Sequence, residues 1–290
     1  VEELGCVATV IKGGHVGDSV ATDILYYNGR FWSYKKPKVK TKNTHGTGCT
    51  YSAAITAEIA KGRTIPQAVE TAKEFTYQAI SFGLDIGRGT GPVNHMVWLY
   101  RRAERYDIIQ ELERALMEIE SCKEYSILIP EVGMNIALAN NYAIGKEDIA
   151  AIPGRIRRMD GYVKACGCPR FGVSKHLASY VMVAREFDRE IRAAVNIKYS
   201  DELLEKLAKM GLRISYYDRS KEPPEIKEVE GLTIPWGTKE AIKRLGQVPD
   251  VIYHKGDVGK EPMIVILGKN MGQILEVLRG LLDKKSRGDE

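Results

Sequence analysis

The chain has 290 residues, of which 44% are hydrophobic and 28% charged, so it is long enough to bury the cores of two domains. Its longest apolar runs are strand-sized, far below the roughly 20 residues that span a bilayer, which excludes a transmembrane helix. The net charge of +5 is spread along the chain, which suits anionic small molecules and argues against nucleic acid as a partner.

The five cysteines are an odd number at irregular spacing, which argues against a disulfide framework and predicts a reducing compartment. Cys166 and Cys168 are too close for a CxxC metal or redox motif, so no structural zinc is expected. The first residues also lack the basic start and apolar middle of an export signal. We therefore expect a cytoplasmic protein. Its oligomeric state stays open, with a homo-oligomer as one alternative.

The N-terminal third of the sequence predicts short strands followed by two helices. Asn28-Gly29 is typical of a two-residue hairpin turn between strands. Alanine-rich helical spacing follows and is interrupted by Gly62, which predicts two separate helices. The strands are expected at 6–11, 24–27 and 30–34, and the helices at 50–61 and 65–82.

A long charged helix is expected at 98–122, and strands and helices alternate after it, which indicates an α/β layered domain. We predict a first domain at 1–105, a linker helix at 106–125 and a second domain at 126–290. The later strands are expected at 126–129, 133–139, 151–156, 161–166, 193–199, 213–217, 251–253 and 263–267, and the helices at 175–187, 201–210, 238–246 and 271–282.

A glycine-rich turn comes directly before the first helix. Gly46, Thr47 and Gly48 let several backbone N–H groups point at one spot beside a helix N-terminus, where a phosphate would bind. Cys49 follows in the first helical turn and could take a proton from a substrate hydroxyl. On spacing alone, a plain glycine turn with a small buried cysteine is an equally open interpretation.

Four motifs in this region are K-G-G-H from Lys12, D-I-L from Asp23, T-H-G-T-G-C-T-Y-S-A-A-I from Thr44 and G-T-G-P-V-N-H from Gly89. In this order they resemble the C-terminal part of hydroxymethylpyrimidine kinases of the ribokinase-like fold. The resemblance implies that Gly46, Thr47 and Gly48 form an anion hole, that Cys49 is the catalytic residue and that Lys12 faces a phosphate of ATP. Such kinases also have a longer N-terminal region that holds the pyrimidine pocket, so we expect little or no phosphoryl transfer by this chain.

Groups suited to phosphate gather at strand ends and helix starts in the second half. Arg155 and Arg157 have the spacing of side chains on one face of a strand, where two guanidiniums could grip a diphosphate. Ser174 is the expected N-cap of a helix whose start offers backbone N–H groups, the Lys175 ammonium and the His176 imidazole to one anion.

Each of these residues also has an ordinary structural interpretation. Arginines next to a strand can simply be solvated, a single histidine in a helix is often structural, and Asp257 with Lys260 could form a loop ion pair. Lys198 ends a predicted strand just before another helix. The grouping at strand ends and helix starts, where α/β sheets bind ligands, favours a phosphate site.

Seven further motifs are L-I-P-E-V-G-M-N from Leu128, I-P-G-R-I from Ile152, F-G-V-S-K-H from Phe171, N-I-K-Y-S from Asn196, D-R-S from Asp218, P-W-G from Pro235 and D-V-G-K-E-P from Asp257. Over 126–282 the sequence resembles the archaeal thiamine-phosphate synthase domain. The resemblance implies an aldolase-like three-layer α/β/α fold behind a pyrimidine kinase. It also implies coupling of hydroxymethylpyrimidine diphosphate with thiazole phosphate to give thiamine phosphate and pyrophosphate.

That reaction mainly requires neutralisation of the departing diphosphate, because the electron-rich pyrimidine can expel it and the thiazole nitrogen already has a lone pair. We predict Mg²⁺ as a cofactor of the synthase and ATP as a substrate of the kinase part. The predicted residues are Arg155 and His176 for catalysis, Arg157, Ser174, Lys175 and Lys198 for phosphate binding, and Asp218 and Asp257 for metal contact.

A second hypothesis is that the C-terminal domain only senses thiamine phosphates, because similar domains occur in archaeal regulators behind a helix-turn-helix. No such module is predicted before this domain. The expected partners are therefore small-molecule phosphates, namely the pyrimidine diphosphate, the thiazole phosphate and ATP, with no nucleic acid and no membrane.

Overall fold

A computed structural model of the chain describes residues 5–15, 17, 19–257 and 259–282. The chain divides into two compact units between Arg102 and Ala103, which we call the N-terminal unit and the C-terminal unit. The outer ends of the predicted domains, at residues 1 and 290, lie outside the described residues. Among the described residues, no helix is both long and apolar enough to cross a membrane.

The N-terminal unit is a three-stranded antiparallel sheet with two helices. Both Asn28 and Gly29 have positive φ, 48° and 71°, as the predicted hairpin turn requires. The fully buried Leu25 lies in the small core between sheet and helices. The elements are β1 Ala8–Ile11, β2 Val20–Tyr27, β3 Arg30–Pro37, α1 Thr47–Ala60 and α2 Ile65–Ser81.

A third helix, α3 Val97–Ser121, continues into the C-terminal unit. Its apolar residues Ile108, Leu112 and Ile119 are buried in the larger of the two cores of that unit. The segment that the sequence assigned to a linker therefore contributes to the C-terminal core, because its helical apolar stripe has a surface to cover.

The C-terminal unit contains a seven-stranded mixed sheet with the strand order β10-β11-β12-β9-β4-β5-β8 and a separate β6–β7 hairpin. The β10–β11 pair is parallel and the other pairs are antiparallel. The strands are β4 Asn135–Ala139, β5 Ile149–Ala151, β6 Ile156–Met159, β7 Tyr162–Ala165, β8 Arg170–Phe171, β9 Ala193–Lys198, β10 Ile214–Tyr216, β11 Val251–His254 and β12 Met263–Gly268.

Helices cover both faces of this sheet. Along β9, Val195 points into a core shared with α3, α5 and α8, whereas its neighbour Ala194 points into a second core shared with α4 and α7. This alternation gives the three-layer α/β/α architecture that the resemblance implied. The helices are α4 Lys175–Phe187, α5 Asp201–Lys209, α6 Pro224–Lys227, α7 Thr233–Leu245 and α8 Met271–Leu282.

Two strand predictions are wrong in the C-terminal unit. Residues 126–129, expected as a strand, largely belong to the 3₁₀ helix Lys123–Leu128. The strand expected at 151–156 does not form, because β5 ends at Ala151. Pro153 cannot donate a ladder hydrogen bond, and Gly154 turns the chain with a φ of 70°. These short apolar runs suit a strand and a buried turn equally well.

Candidate active site

The glycine-rich turn of the N-terminal unit forms the start of α1. Gly46 is the N-cap residue with a left-handed φ of 85°, and the helix begins at Thr47, earlier than the sequence predicted. A Cβ built on Gly48 would lie 3.3 Å from Nζ of Lys12. The predicted phosphate-binding residues therefore do come together, with an ammonium beside the first helical turn.

Hydrogen bonds hold this turn in place. The His45 backbone N–H donates to the carbonyl of Gly91 at 3.0 Å, which joins the two motifs on either side of the helices. The Thr47 hydroxyl donates to the carbonyl of Thr44 at 2.6 Å. Cys49 lies exposed in the first turn as a free thiol, so the buried alternative for this residue is wrong.

A buried ion pair anchors the chain next to Lys12. Asp23 and Lys73 are both buried, and Oδ2 of Asp23 lies 2.9 Å from Nζ of Lys73. Oδ1 of Asp23 accepts a hydrogen bond of 3.0 Å from the Gly13 N–H. The D-I-L motif therefore fixes the K-G-G-H motif.

Arg155 lies in the turn between β5 and β6 rather than in a strand. Its φ of 72° is left-handed, and its guanidinium donates to the carbonyl of Val132 at 2.8 Å. Arg157 lies in β6 and donates weakly to Gly154. The prediction that Arg155 and Arg157 share one strand face is therefore wrong, because the turn rotates the chain between them.

His176 lies in the first turn of α4, surrounded by positive charge. Partial burial lowers its pKa below the usual range, and the cations of Arg155, Lys260, Lys146 and Arg219 lower it further. Four cations that act on one imidazole create a positive potential, which is suited to a highly charged anion. The charge of Arg155 thus acts on His176, and their joint role in one anion site stays a prediction.

The two residues before His176 begin the same helix. Ser174 is its N-cap residue, but its hydroxyl makes no capping hydrogen bond, and Lys175 is exposed. The first backbone N–H groups of α4 are thus available beside the cations. The helix starts where the sequence predicted, and anion binding there stays a prediction.

Arg157 and Lys198 line a separate cleft of about 720 Å³. Its other walls include the apolar side chains of Val132 and Pro262. The carbonyl of Val132 accepts the hydrogen bond from Arg155, so this cleft adjoins the cationic site around His176. The predicted phosphate-binding residues are therefore divided between two neighbouring places.

The two predicted metal contacts are engaged elsewhere. Asp218 caps a short 3₁₀ helix and accepts from the N–H and hydroxyl of Ser220, while Asp257 forms an ion pair with Lys227 at 2.8 Å. No group of three histidine, cysteine or acidic residues in the described part of the chain is arranged to hold a metal. These aspartates do not fit a preformed Mg²⁺ site.

Sequence reasoning gave no role in anion binding to Lys146, Lys260 or Arg219. Arg219 and Lys260 lie inside motifs that carried the family resemblance, which is a usable signal, whereas Lys146 lies in an unremarkable stretch. Tyr180 was also missed, although it lies one turn after His176 on α4 and therefore on the same helix face.

Comparison with known proteins shows the family to which the chain belongs. The family model of thiamine-phosphate synthase ThiN matches residues 111–280. The chain belongs to the ThiN family. The model of phosphomethylpyrimidine kinase matches residues 1–94, in agreement with the kinase motifs of the N-terminal unit.

Relatives include proteins with one unit or with both. The chain is 42% identical to a thiamine-phosphate synthase ThiN of Methanothermobacter thermautotrophicus over 61% of this chain and 93% of the relative. It is 37% identical to the bifunctional thiamine biosynthesis protein ThiDN of Methanocaldococcus jannaschii, over 81% of this chain and 53% of the relative. The chain thus spans about half of that longer relative.

A solved structure and a kinase relative match separate units. A crystal structure of the C-terminal domain of a phosphomethylpyrimidine kinase is 45% identical, with a TM-score of 0.59, and covers 61% of this chain and 100% of that domain. A hydroxymethylpyrimidine/phosphomethylpyrimidine kinase of Staphylococcus aureus is 48% identical over 34% of this chain, but this covers only 36% of the kinase.

Proposed function

We propose that the C-terminal unit joins hydroxymethylpyrimidine diphosphate to thiazole phosphate and releases pyrophosphate. The observation that carries the proposal is the set of four cations around His176, with Arg155 held in place by Val132. Membership in the ThiN family supports the same reaction. No observation in the described part of the chain favours a purely sensory role.

The reaction has a simple electron balance. The bond between the pyrimidine methylene carbon and the diphosphate oxygen breaks, and its electron pair leaves with pyrophosphate. The amino-substituted ring stabilises the resulting cation, and the thiazole nitrogen then donates its lone pair to the methylene carbon. Arg155 and His176 stabilise the charge that develops on the leaving group, with Lys146 and Lys260 adding positive potential. Lys175 and Ser174 provide further donors at the start of α4.

We propose that thiazole phosphate binds in the cleft lined by Arg157 and Lys198. The cleft is lined by three cations, Arg157, Arg158 and Lys198, and by two carboxylates, Glu131 and Glu261, so its net charge is positive and suits a phosphate group. The apolar wall of Val132 and Pro262 suits the thiazole ring. Because the cleft adjoins Arg155 through Val132, the nucleophile would enter next to the leaving group.

The role of Mg²⁺ stays a prediction. Asp218 is engaged by Ser220 and Asp257 by Lys227. We therefore assign neutralisation of the diphosphate charge to the cationic side chains of the chain. We also propose a cytoplasmic location, which is supported by the five free cysteines.

For the N-terminal unit we propose the phosphate-binding part of a phosphomethylpyrimidine kinase that uses ATP. Lys12 and Gly46 to Gly48 would hold a phosphate, and the exposed Cys49 would receive the substrate proton. Because the chain covers about a third of its kinase relatives, kinase activity is proposed for the longer protein.

The test is to incubate the chain with both synthase substrates and Mg²⁺ and to follow thiamine phosphate by mass spectrometry. An enzyme produces it with multiple turnovers and releases one pyrophosphate per product. A sensor would bind the phosphates without converting them, which would contradict the proposal.

A further inference from the structure

A buried polar cluster adjoins His176 in the C-terminal unit. Tyr180 lies one helical turn after His176, and its hydroxyl is 2.8 Å from the hydroxyl of Tyr217. The ring of Tyr217 lies 5.1 Å from the ring of His254. These side chains extend the cationic site into the protein interior, where Tyr180, Tyr217 and His254 are all buried.

Glu222 belongs to this cluster and has no partner. Its residue is only 7% exposed, and neither carboxylate oxygen has a hydrogen-bond or ion-pair partner among the described residues. Glu222 is the C-cap residue of the short 3₁₀ helix Arg219–Lys221, which follows Tyr217 closely in the chain. Burial raises the pKa of Tyr217 to about 12, and the negative charge of Glu222 adds to this rise. A buried carboxylate without a donor is costly, so Glu222 needs a partner that the described side chains do not supply, such as a ligand, an ion or a water molecule.

A buried donor without a partner lies next to Glu222. Nε of Arg219 is buried and lacks an acceptor among the described residues. The Glu222 N–H donates to the carbonyl of Arg219 at 3.2 Å, so the two residues are joined by one 3₁₀ turn. The charge of Arg219 also acts on His176 and Tyr180. An unsatisfied donor and an unsatisfied acceptor thus lie beside the cationic site.

Only one of the two substrates of the proposed function can satisfy both groups. The pyrimidine has an exocyclic amino group, which donates, next to a ring nitrogen, which accepts. Thiazole phosphate has no N–H group and cannot donate to a carboxylate. The choice of this substrate rests on the proposed function.

We propose that Glu222 and Arg219 recognise the aminopyrimidine edge of the diphosphate substrate, with Glu222 accepting from the amino group and Nε of Arg219 donating to the ring nitrogen. The pyrimidine then lies against Tyr180 and Tyr217, and its diphosphate extends toward His176. A carboxylate on the amino N–H also increases electron donation into the ring as the bond to pyrophosphate breaks. Glu222 therefore determines that this position accepts the pyrimidine and not the thiazole.

The test compares binding of pyrimidine diphosphate, the same compound without its amino group, and inorganic pyrophosphate by calorimetry. The proteins are the unmodified chain, Glu222→Gln, Glu222→Ala and the exposed control Glu225→Gln. We expect the Kd of pyrimidine diphosphate to rise roughly tenfold in Glu222→Gln and roughly 100-fold in Glu222→Ala, as loss of a charged hydrogen bond predicts. The compound without the amino group should bind all four proteins equally weakly.

Pyrophosphate should bind all four proteins with the same affinity, which also shows that the variants are folded. Unchanged affinity for pyrimidine diphosphate in both Glu222 variants would overturn the inference. Equal weakening of all three ligands would also overturn it, because Glu222 would then be structural. Failure of the proposed function would be seen in a different measurement, because the unmodified chain would then form no thiamine phosphate in the turnover experiment.

Discussion

The guanidinium of Arg155 donates a hydrogen bond of 2.8 Å to the carbonyl of Val132 from a turn in which Arg155 itself has a φ of 72°. A left-handed arginine is unfavourable by roughly 1 kcal/mol, so the surrounding turn must hold it there. The Cys166 N–H donates to the Arg155 carbonyl at 2.9 Å and fixes the other side of the turn. Arg155 is therefore positioned before any ligand arrives, which is what electrostatic catalysis requires.

Arg155→Gly should separate activity from stability. The change removes a left-handed side chain, which gains roughly 1 kcal/mol, and loses one hydrogen bond, which costs about as much, so urea unfolding should change by less than about 1 kcal/mol. Loss of a charge that stabilises the leaving group should lower kcat by roughly 100-fold or more. Arg114→Ala, at an exposed position of α3, is the matched control and should keep full activity. A variant that is stable and fully active would remove Arg155 from the site.

His176 should titrate differently with and without an anion. Burial and four neighbouring cations lower its pKa below the usual 6.5 in the free protein. A bound pyrophosphate replaces repulsion by attraction, so the pKa of His176 should rise. NMR titration of the histidine ring signals, assigned with His176→Gln, measures this directly. An unchanged pKa in the presence of saturating pyrophosphate would contradict the proposed position of the leaving group.

His254 should make the C-terminal unit less stable in acid. Burial and, to a lesser extent, Arg219 lower its pKa to about 4, below the usual histidine value of 6.5. The folded state therefore binds this proton less readily than the unfolded state. Full stability is present above pH 6.5 and is lost as the pH falls toward 4, by about 2.5 kcal/mol between pH 7.5 and 4.5.

The variant His254→Asn should reduce that loss, because the amide oxygen can accept from Gly256 as Nδ1 does and cannot be protonated in this range. Urea unfolding of both proteins at the two pH values provides the comparison, since all other acid-sensitive groups are shared. Equal pH dependence in the two proteins would show that His254 is not the group responsible.

The buried pair of Asp23 and Lys73 should stabilise the N-terminal unit only while both partners are present. Asp23→Ala leaves the Lys73 ammonium buried without a partner and releases the Gly13 N–H, at a cost of roughly 3–5 kcal/mol. The double variant Asp23→Leu with Lys73→Met should be closer to the original stability. Hydrogen exchange of peptides from β1 and β2, measured by mass spectrometry, reports on this unit. Equal exchange in all three proteins would exclude a stabilising role.

Much of the fold follows from patterns of spacing. Helices α4 and α8 have the predicted bounds, because each has an uninterrupted apolar stripe. The alternation along β9 and β12 also specifies two cores and hence three layers. The stretch from Ile152 to Ile156 could not be predicted, since Gly154 packs closely against Cys166 and Pro153 against Gly167, which local spacing does not reveal.

The candidate site was only partly predictable for the same reason. Arg155 and His176 lie in recognisable motifs, whereas the approach of Lys146 and Glu222 depends on how distant loops pack. Glu222 follows an Asp-Arg-Ser motif and looks like an ordinary charged loop residue. Its burial without a partner appears only in three dimensions.

The most direct test of the central claim is the rate of thiamine phosphate formation in the unmodified chain, Arg155→Ala, His176→Ala and the control Arg114→Ala, each checked for pyrophosphate release. The cationic site around His176 predicts product from the unmodified chain and the control, with a loss of roughly 100-fold or more in the other two variants. Equal rates in all four proteins would contradict the site, and no product from the unmodified chain would contradict the proposed reaction.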